Sequence, residues 1–161
     1  MSRSAIVGSL VVLCSVTVAG CDSPSSPAET LPLTRVTQGY FAAPNPSKRL
    51  VVRSQQDFAA AWAAIFNTSS PQPPVPSVDF TQEMVIIALS GSKPSGGYCI
   101  AVEHAAGDRR SATVTVRSVG PTAGNPILPV ITNPYDIVRV PRRDRVSFTE
   151  VSEIGNCGPL T

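Results

Sequence analysis

Apolar and polar residues alternate through much of the second half of this 161-residue chain, a pattern that predicts β-strands. In "SATVTVRSV" (Ser111–Val119), Ala112, Val114 and Val116 fall on one face and the polar residues fall on the other. Further apolar runs predict strands at Lys48–Ser54, Glu83–Gly91, Tyr98–Ala105, Tyr135–Val140 and Arg145–Val151. Because most of the connections are short turns rich in glycine and proline, we expect neighbouring strands to pair antiparallel.

One segment between two predicted strands has a helical period instead. In "SQQDFAAAWAAIF", Ser54 can cap the first turn, with Asp57 three residues later. The large apolar residues of this segment share one helix face: Phe58, Trp62, Ile65 and Phe66. The chain therefore predicts an α+β domain, a mainly antiparallel β-sheet or partial sandwich with one amphipathic α-helix near its N-terminal side.

The first residues follow the pattern of an export signal. Arg3 precedes an apolar run that is short and interrupted by small residues, which favours a signal peptide over a membrane span. The run ends in Val18-Ala19-Gly20-Cys21, which resembles the lipobox of bacterial lipoproteins. That resemblance implies cleavage before Cys21 and acylation of the cysteine, and the alternative is a plain secreted protein.

These features divide the chain into three parts. We expect a signal peptide at residues 1–20, a disordered tether rich in serine and proline at residues 21–34, and one domain at residues 35–161. The acylated Cys21 would attach the protein to a lipid bilayer of the bacterial envelope, either the inner or the outer membrane.

The charge balance argues against a nucleic-acid partner. Of the 13 Lys+Arg residues, removal of the signal takes Arg3, so 12 remain against 11 Asp+Glu and the net charge is +1. A nucleic-acid-binding domain needs a concentrated positive field. The one local concentration, Arg139, Arg142, Arg143 and Arg145, is either a solvated strand end or a contact patch.

No catalytic or metal-binding motif is found in the sequence. The single histidine, His104, is predicted on the apolar face of a strand, as a core residue rather than a catalytic base. Ser90 and Lys93 match the S-x-x-K pattern of penicillin-interacting enzymes, but the motif ends a strand and its partner motifs are missing. We therefore expect no enzyme, no cofactor and no metal.

Two cysteines remain in the predicted domain, Cys99 and Cys157. An even pair in an exported protein favours a disulfide, with two free thiols as the alternative. On the strand that begins at Tyr98, Cys99 lies on a small, partly polar face that a C-terminal segment could cross.

The connection "GSKPSGGY" is longer than a minimal hairpin requires. Its proline fixes one backbone angle, its two glycines allow positive φ, and a lysine and a tyrosine flank it. Tyrosine beside exposed glycine backbone is a good protein-contact surface. The candidate contact residues are Lys93, Pro94, Ser95, Gly96, Gly97 and Tyr98, and a purely structural hairpin remains the alternative.

Several of these stretches resemble the PrcB C-terminal domain family. The stretches are "MVIIALSGSKPSGGYCIAV", "VRSVGP" and "NPYDIVRVP", which fit that family's Gly-Gly-Tyr hairpin and its later Pro-Tyr element. The resemblance places Pro134 and Tyr135 beside the candidate contact residues. It also implies a non-enzymatic accessory role for an envelope lipoprotein that binds another envelope protein, for example a surface protease complex.

A second resemblance gives the alternative function. "KPSGGY" is similar to a loop of chagasin-type cysteine-protease inhibitors, which insert three loops into a protease cleft, and "GPTAGNP" and "NPY" follow it in a comparable order. The sequence departs from that pattern at Lys93 and at Asn133-Pro134-Tyr135, and the helix around Trp62 does not belong to that fold.

Overall fold

A computed structural model describes residues 28–124 and 126–157 of the chain. The elements in this part of the chain are β1 (Glu29–Thr30), β2 (Thr34–Gly39), β3 (Lys48–Val52), α1 (Gln55–Ile65), β4 (Glu83–Leu89), β5 (Cys99–Gly107), β6 (Ser111–Gly120), β7 (Tyr135–Pro141) and β8 (Arg145–Ile154). Within these residues, no helix combines the length and the hydropathy that a membrane span requires.

The strands form two four-stranded sheets that pack face to face. The first sheet has the order β1-β5-β6-β8 and the second has the order β2-β7-β4-β3. The α+β prediction, with mainly antiparallel strands and one helix, is confirmed. One pair departs from a simple meander: β6 and β8 are parallel, with Ser111 opposite Arg145. β7 lies between them in sequence but belongs to the other sheet. It returns the chain to the end of the sandwich where β6 begins, so β8 runs in the same direction as β6.

The main core lies between the two sheets. Met84, Ile86 and Ala88 of β4 face Ile100 and Val102 of β5 and the inward residues of β6, and all of them are buried. The alternation predicted for β6 is confirmed, with Ala112, Val114 and Val116 in this core. Burying one such side chain contributes about 1.5–3 kcal/mol.

A second core lies between the outer face of the second sheet and α1. Val85, Ile87 and Leu89 of β4 pack here against Phe58 and Trp62 of the helix. The strand β4 is therefore buried on both faces, which explains why "MVIIAL" is continuously apolar rather than alternating. Ser54 caps the helix as predicted, since its side chain accepts a hydrogen bond from the backbone N–H of Asp57.

The predicted position of His104 is wrong. The pairing of β5 with β6 shifts after Val102, and Glu103 is the extra residue of a β-bulge. The bulge exchanges the faces of the strand, so His104 is exposed and Ala105 takes the place in the core.

The predicted tether extends too far toward the C-terminus. Glu29 and Thr30 pair with the end of β5, and Leu31 is only 4% exposed in the main core. β2 then begins at Thr34. These residues become ordered because an open strand edge and an apolar pocket are available to them, which the local composition does not reveal. Cys21 and the rest of the predicted signal and tether up to residue 27 lie outside the described residues.

A buried ion pair between β2 and β7 of the second sheet is hydrogen-bonded to the first sheet. The Asp136 carboxylate, on β7, is fully buried and accepts hydrogen bonds from Arg35 Nε at 3.0 Å and Nη2 at 3.1 Å. It also accepts a bond of 2.7 Å from the backbone N–H of Val102 in the opposite sheet. Burial raises the pKa of Asp136, because desolvation outweighs the opposing effects of Arg35 and Val102.

The strands run between two ends of the sandwich. The arginine pole consists of residues 108–110 and 142–145, where the backbone N–H of Asp144 donates to the Arg110 carbonyl at 3.0 Å. The loop pole, at the opposite ends of the strands, consists of residues 91–98 and 126–132. Because Glu29 pairs with Gly107, the chain enters the domain at the arginine pole.

Candidate functional site

The candidate contact loop, Lys93–Tyr98, is paired with a second segment of the loop pole along most of its length. Lys93 and Thr132 exchange backbone hydrogen bonds of 2.8 and 3.1 Å, and the N–H of Gly96 donates to the Leu128 carbonyl at 2.9 Å. The buried Thr132 hydroxyl donates to the Ser95 carbonyl at 3.0 Å. The loop is therefore a fixed surface and not a free hairpin tip.

One of the two adjacent glycines is required by the backbone. Gly97 has φ of +82°, and a Cβ there would lie 3.0 Å from Pro121 Cβ. Gly96, which could also take positive φ, does not adopt it. Replacing Gly97 by valine would strain the loop as well as change its surface, so it is a poor probe of binding alone.

Tyr98 is half-buried at the edge of the loop. Its ring lies near Gly120, and the Lys93 ammonium is 5.7 Å from the ring centroid, within cation–π range. Both residues line a cavity of about 160 Å³ together with Ser118 and Glu153. Ser92, Pro94 and Gly97 are exposed, whereas Ser95 is buried. The exposed part of the loop thus combines backbone, a proline, a cation and an aromatic edge.

Pro134 and Tyr135 lie beside the loop but do not form its surface. The Pro134 carbonyl accepts a hydrogen bond of 2.9 Å from the Ser90 N–H, yet both side chains are buried. The Tyr135 ring packs edge-on against Phe66, with 5.4 Å between centroids, in the core beneath the helix. The Pro-Tyr element therefore positions the loop from behind and is not part of the exposed contact surface.

An exposed group of large apolar residues lies beside the loop. We call it the apolar ridge, and its exposed fractions are Phe41 64%, Ile127 45%, Leu128 72%, Val130 40% and Ile131 67%. The ridge follows the segment that pairs with Lys93–Gly96, and Phe41 joins it through a bridge to Asn133. Single exposed apolar residues are ordinary, but five that lie along one paired segment and its neighbour indicate an interaction surface.

The ridge was not among the contact residues predicted from the sequence. The signal was present in "PILPVI", an apolar run of residues 126–131 outside any predicted strand. Its two prolines prevent a regular central strand, so the run cannot place alternate side chains into a core. An apolar run that cannot form a buried element could have been recognised as a surface feature.

The predicted disulfide is confirmed. Cys99 and Cys157 are bonded, with 6.0 Å between their Cα atoms and a sequence separation of 58. It holds the C-terminal segment against the loop pole, where the Gly155 N–H donates to the Gly120 carbonyl at 2.9 Å and Cys157 Sγ lies 3.4 Å from the Gly97 carbonyl oxygen. The bond thus fixes the start of β5, directly after the loop.

Across residues 28–124 and 126–157, no group of three or more His, Cys, Asp or Glu side chains is arranged to hold a metal ion. Ser90, of the S-x-x-K pattern, is buried at the end of β4, where its backbone N–H is bonded to Pro134.

Comparison with known proteins gives one match. Residues 84–141, which contain β4 from its second residue, β5 to β7 and the whole loop pole, match the family model described as PrcB C-terminal. The resemblance predicted from the sequence is confirmed over this segment, and the family is one of accessory domains of a protease complex rather than a known catalytic one. No curated protein and no solved structure matches the chain.

Proposed function

We propose that this protein, in which residues 84–141 match the PrcB C-terminal family model, is a non-enzymatic accessory lipoprotein of the bacterial envelope. It binds another envelope protein, such as a protease or another surface complex, through the apolar ridge and the exposed part of the Lys93–Tyr98 loop. The observation that carries the proposal is the ridge itself, an exposed apolar surface of which all residues except Phe41 lie inside the matched family segment.

The geometry of the ridge suits protein binding. Its backbone is hydrogen-bonded to the loop at Lys93 and Gly96, so little conformational freedom would be lost when a partner binds. Leu128 and Ile131 present most of their side chains to solvent. Lys93 and Tyr98 lie beside the ridge, in the mixed apolar and polar arrangement of a protein interface.

The lipid anchor is supported by the Val18-Ala19-Gly20-Cys21 motif. Cys21 precedes Glu29, the first residue of the sandwich, by eight positions. An acyl chain on Cys21 would hold the domain close to the membrane, where a membrane-bound protease complex is within reach.

Inhibition of a papain-like protease is the second candidate function. Its support is that two connections meet at one end of the sandwich, as inhibitory loops must. The third element that such an inhibitor needs, Asn133-Pro134-Tyr135, is buried here, which favours the accessory role. An inhibitor would block a papain-like protease in solution, and an accessory module would not.

Crosslinking of the tagged protein in its native envelope, followed by mass spectrometry, tests the proposal. We expect one dominant partner, and we expect Leu128→Ser/Ile131→Ser to reduce its recovery at least about tenfold. Val75→Ser is the control, because Val75 is an exposed apolar residue of the loop after α1. Equal recovery with the ridge variant and the control would contradict the proposal.

A further inference from the structure

The arginine pole carries five arginines that are not neutralised by ion pairs. Among the described residues, no ion pair is formed by any of these five: Arg109, Arg110, Arg142, Arg143 and Arg145. Arg142 and Arg143 donate instead to backbone carbonyls, for example Arg142 Nη1 to Phe80 at 2.7 Å. Such bonds fix a guanidinium in place but leave its full charge at the surface.

Three of these side chains are directed to solvent. Arg109, Arg110 and Arg145 are exposed, and in the described part of the chain no side-chain hydrogen bond of theirs is formed. The two turns that carry them are joined, because the Arg110 carbonyl accepts from the N–H groups of both Asp144 and Arg145 at 3.0 Å. The three cations therefore form one patch on a fixed backbone.

The carboxylates of the pole do not cancel this charge. Hydrogen bonds from the backbone N–H groups of Arg110 and Ser111 lower the pKa of Asp108, so it stays ionised. Five arginines less Asp108 and Asp144 leave a net charge of +3 on the pole, more than the +2 of the whole sequence. Of the other acidic groups at this end, Glu83 is paired with Arg139, and Glu29 and Asp79 lie on neighbouring elements.

The position of Cys21 relative to the two poles distinguishes them. Glu29 of β1, at the arginine pole, follows Cys21 by eight Cα–Cα steps, which span at most about 29 Å. The nine residues of β5 separate the poles by about 30 Å. Only a fully extended connection laid along the sandwich would bring the loop pole near the bilayer, whereas the arginine pole reaches it without extension.

We propose that the arginine pole lies against the membrane and binds the headgroups of anionic phospholipids, so that the apolar ridge points away from the bilayer. The orientation rests on the proposed acylation of Cys21, while the charge of the patch is independent of it. Each cation near an anionic surface strengthens attachment by about fivefold at moderate ionic strength. The connection to Cys21 limits the distance between the domain and the bilayer, and the arginines determine which end of the sandwich faces the lipid.

Chemical labelling of the processed, acylated protein on vesicles tests the orientation. The vesicles contain phosphatidylcholine alone or phosphatidylcholine with phosphatidylglycerol, and mass spectrometry follows an arginine reagent and an amine reagent. The two lysines of the sequence, Lys48 and Lys93, both lie at loop-pole ends of their segments and report that pole. We expect labelling of Arg145 to fall several-fold only on the anionic vesicles, with lysine labelling unchanged.

Matched variants identify the source of the protection. Arg109→Gln/Arg110→Gln should restore Arg145 labelling on anionic vesicles, and Lys48→Gln should not. Equal Arg145 labelling on both vesicle types, or protection of the lysines as well, overturns the proposal. Loss of the protection when inorganic phosphate alone replaces the chloride of the buffer, at equal ionic strength, also overturns it, because the site would then prefer the free anion.

Failure of the anchor is distinguishable from failure of the orientation. If the protein does not float with phosphatidylcholine vesicles, acylation is absent and that part of the proposed function is wrong. The unacylated protein is then floated with phosphatidylglycerol vesicles. Binding that Arg109→Gln/Arg110→Gln loses supports the lipid-binding pole, and no binding overturns it.

Discussion

The buried pair of Arg35 and Asp136 makes a sharp stability prediction. Arg35→Met removes the guanidinium that donates two hydrogen bonds to a carboxylate with no solvent exposure. The methionine keeps much of the aliphatic volume, so the main loss is the charge partner and not the packing. The carboxylate stays between the sheets, held only by other contacts such as the Val102 N–H.

The expected cost follows from the burial. Removing one partner of a buried ion pair costs about 3–5 kcal/mol, and the 23% exposure of the Arg35 side chain favours the lower end, about 3 kcal/mol at neutral pH. Burial already raises the pKa of Asp136 above its ordinary value of 3.8, and loss of Arg35 removes the largest effect that opposes the rise. A raised folded-state pKa gives stability that is present below the unfolded pKa and lost as pH rises through the folded one. The loss of unfolding free energy caused by Arg35→Met should therefore become smaller as the pH is lowered toward 3.8.

Urea denaturation followed by circular dichroism, at neutral pH and at mildly acidic pH, measures both effects. Arg35→Met/Asp136→Asn should recover part of the loss at neutral pH, because the amide oxygen still accepts from Val102 without carrying a charge. Arg117→Met is the control, since its partner Glu103 is 40% exposed and such pairs contribute at most about 1 kcal/mol. Two results would refute the reasoning. One is that Arg35→Met lowers the free energy of unfolding at neutral pH no more than Arg117→Met does. The other is that its effect on the free energy of unfolding grows as the pH falls.

Three further predictions concern the disulfide, the helix layer and the loop. Cys99→Ala/Cys157→Ala should lower the free energy of unfolding by up to about 4 kcal/mol for a separation of 58 residues, and a reductant should lower the melting temperature of the parent but not of this variant. Phe58→Ala, at a fully buried site, should cost about 3–5 kcal/mol in the same denaturation assay. Gly97→Ala should lower the free energy of unfolding more than Gly124→Ala, because both glycines have positive φ but a Cβ at 124 meets nothing within 4 Å. Equal decreases would mean that the neighbours of Gly97 move aside without a loss of stability.

The predicted elements with a clear period were found in the structure. The helix from Ser54 and the strands from β3 to β8 were each indicated by residues whose spacing matches their burial. β2 was missed because its pairing shifts between Arg35 and Thr37, so its side chains do not alternate regularly. β1 was missed because two residues carry no period, and only their pairing with β5 makes them a strand.

The candidate site was predictable only in part, for a reason that lies in long-range packing. The Lys93–Tyr98 loop was identified from its glycines and its length, which are local properties. Tyr135 was counted among the contact residues on the strength of the family resemblance, but its ring packs against Phe66 in the core beneath the helix. The ridge required knowing that Leu128 and Thr132 pair with the loop, a contact across more than 30 residues.

The separation of the two poles makes their proposed roles independent in solution. About 30 Å lies between them, whereas the Debye length at physiological ionic strength is about 8 Å, so charges at Arg109 and Arg110 hardly affect the field at Leu128. Arg109→Gln/Arg110→Gln should therefore leave partner binding by detergent-solubilised protein unchanged. In the intact envelope the same variant should reduce crosslinking to the partner, because the domain is no longer held with its ridge away from the bilayer. A loss of equal size in detergent would mean that the arginine pole contacts the partner directly.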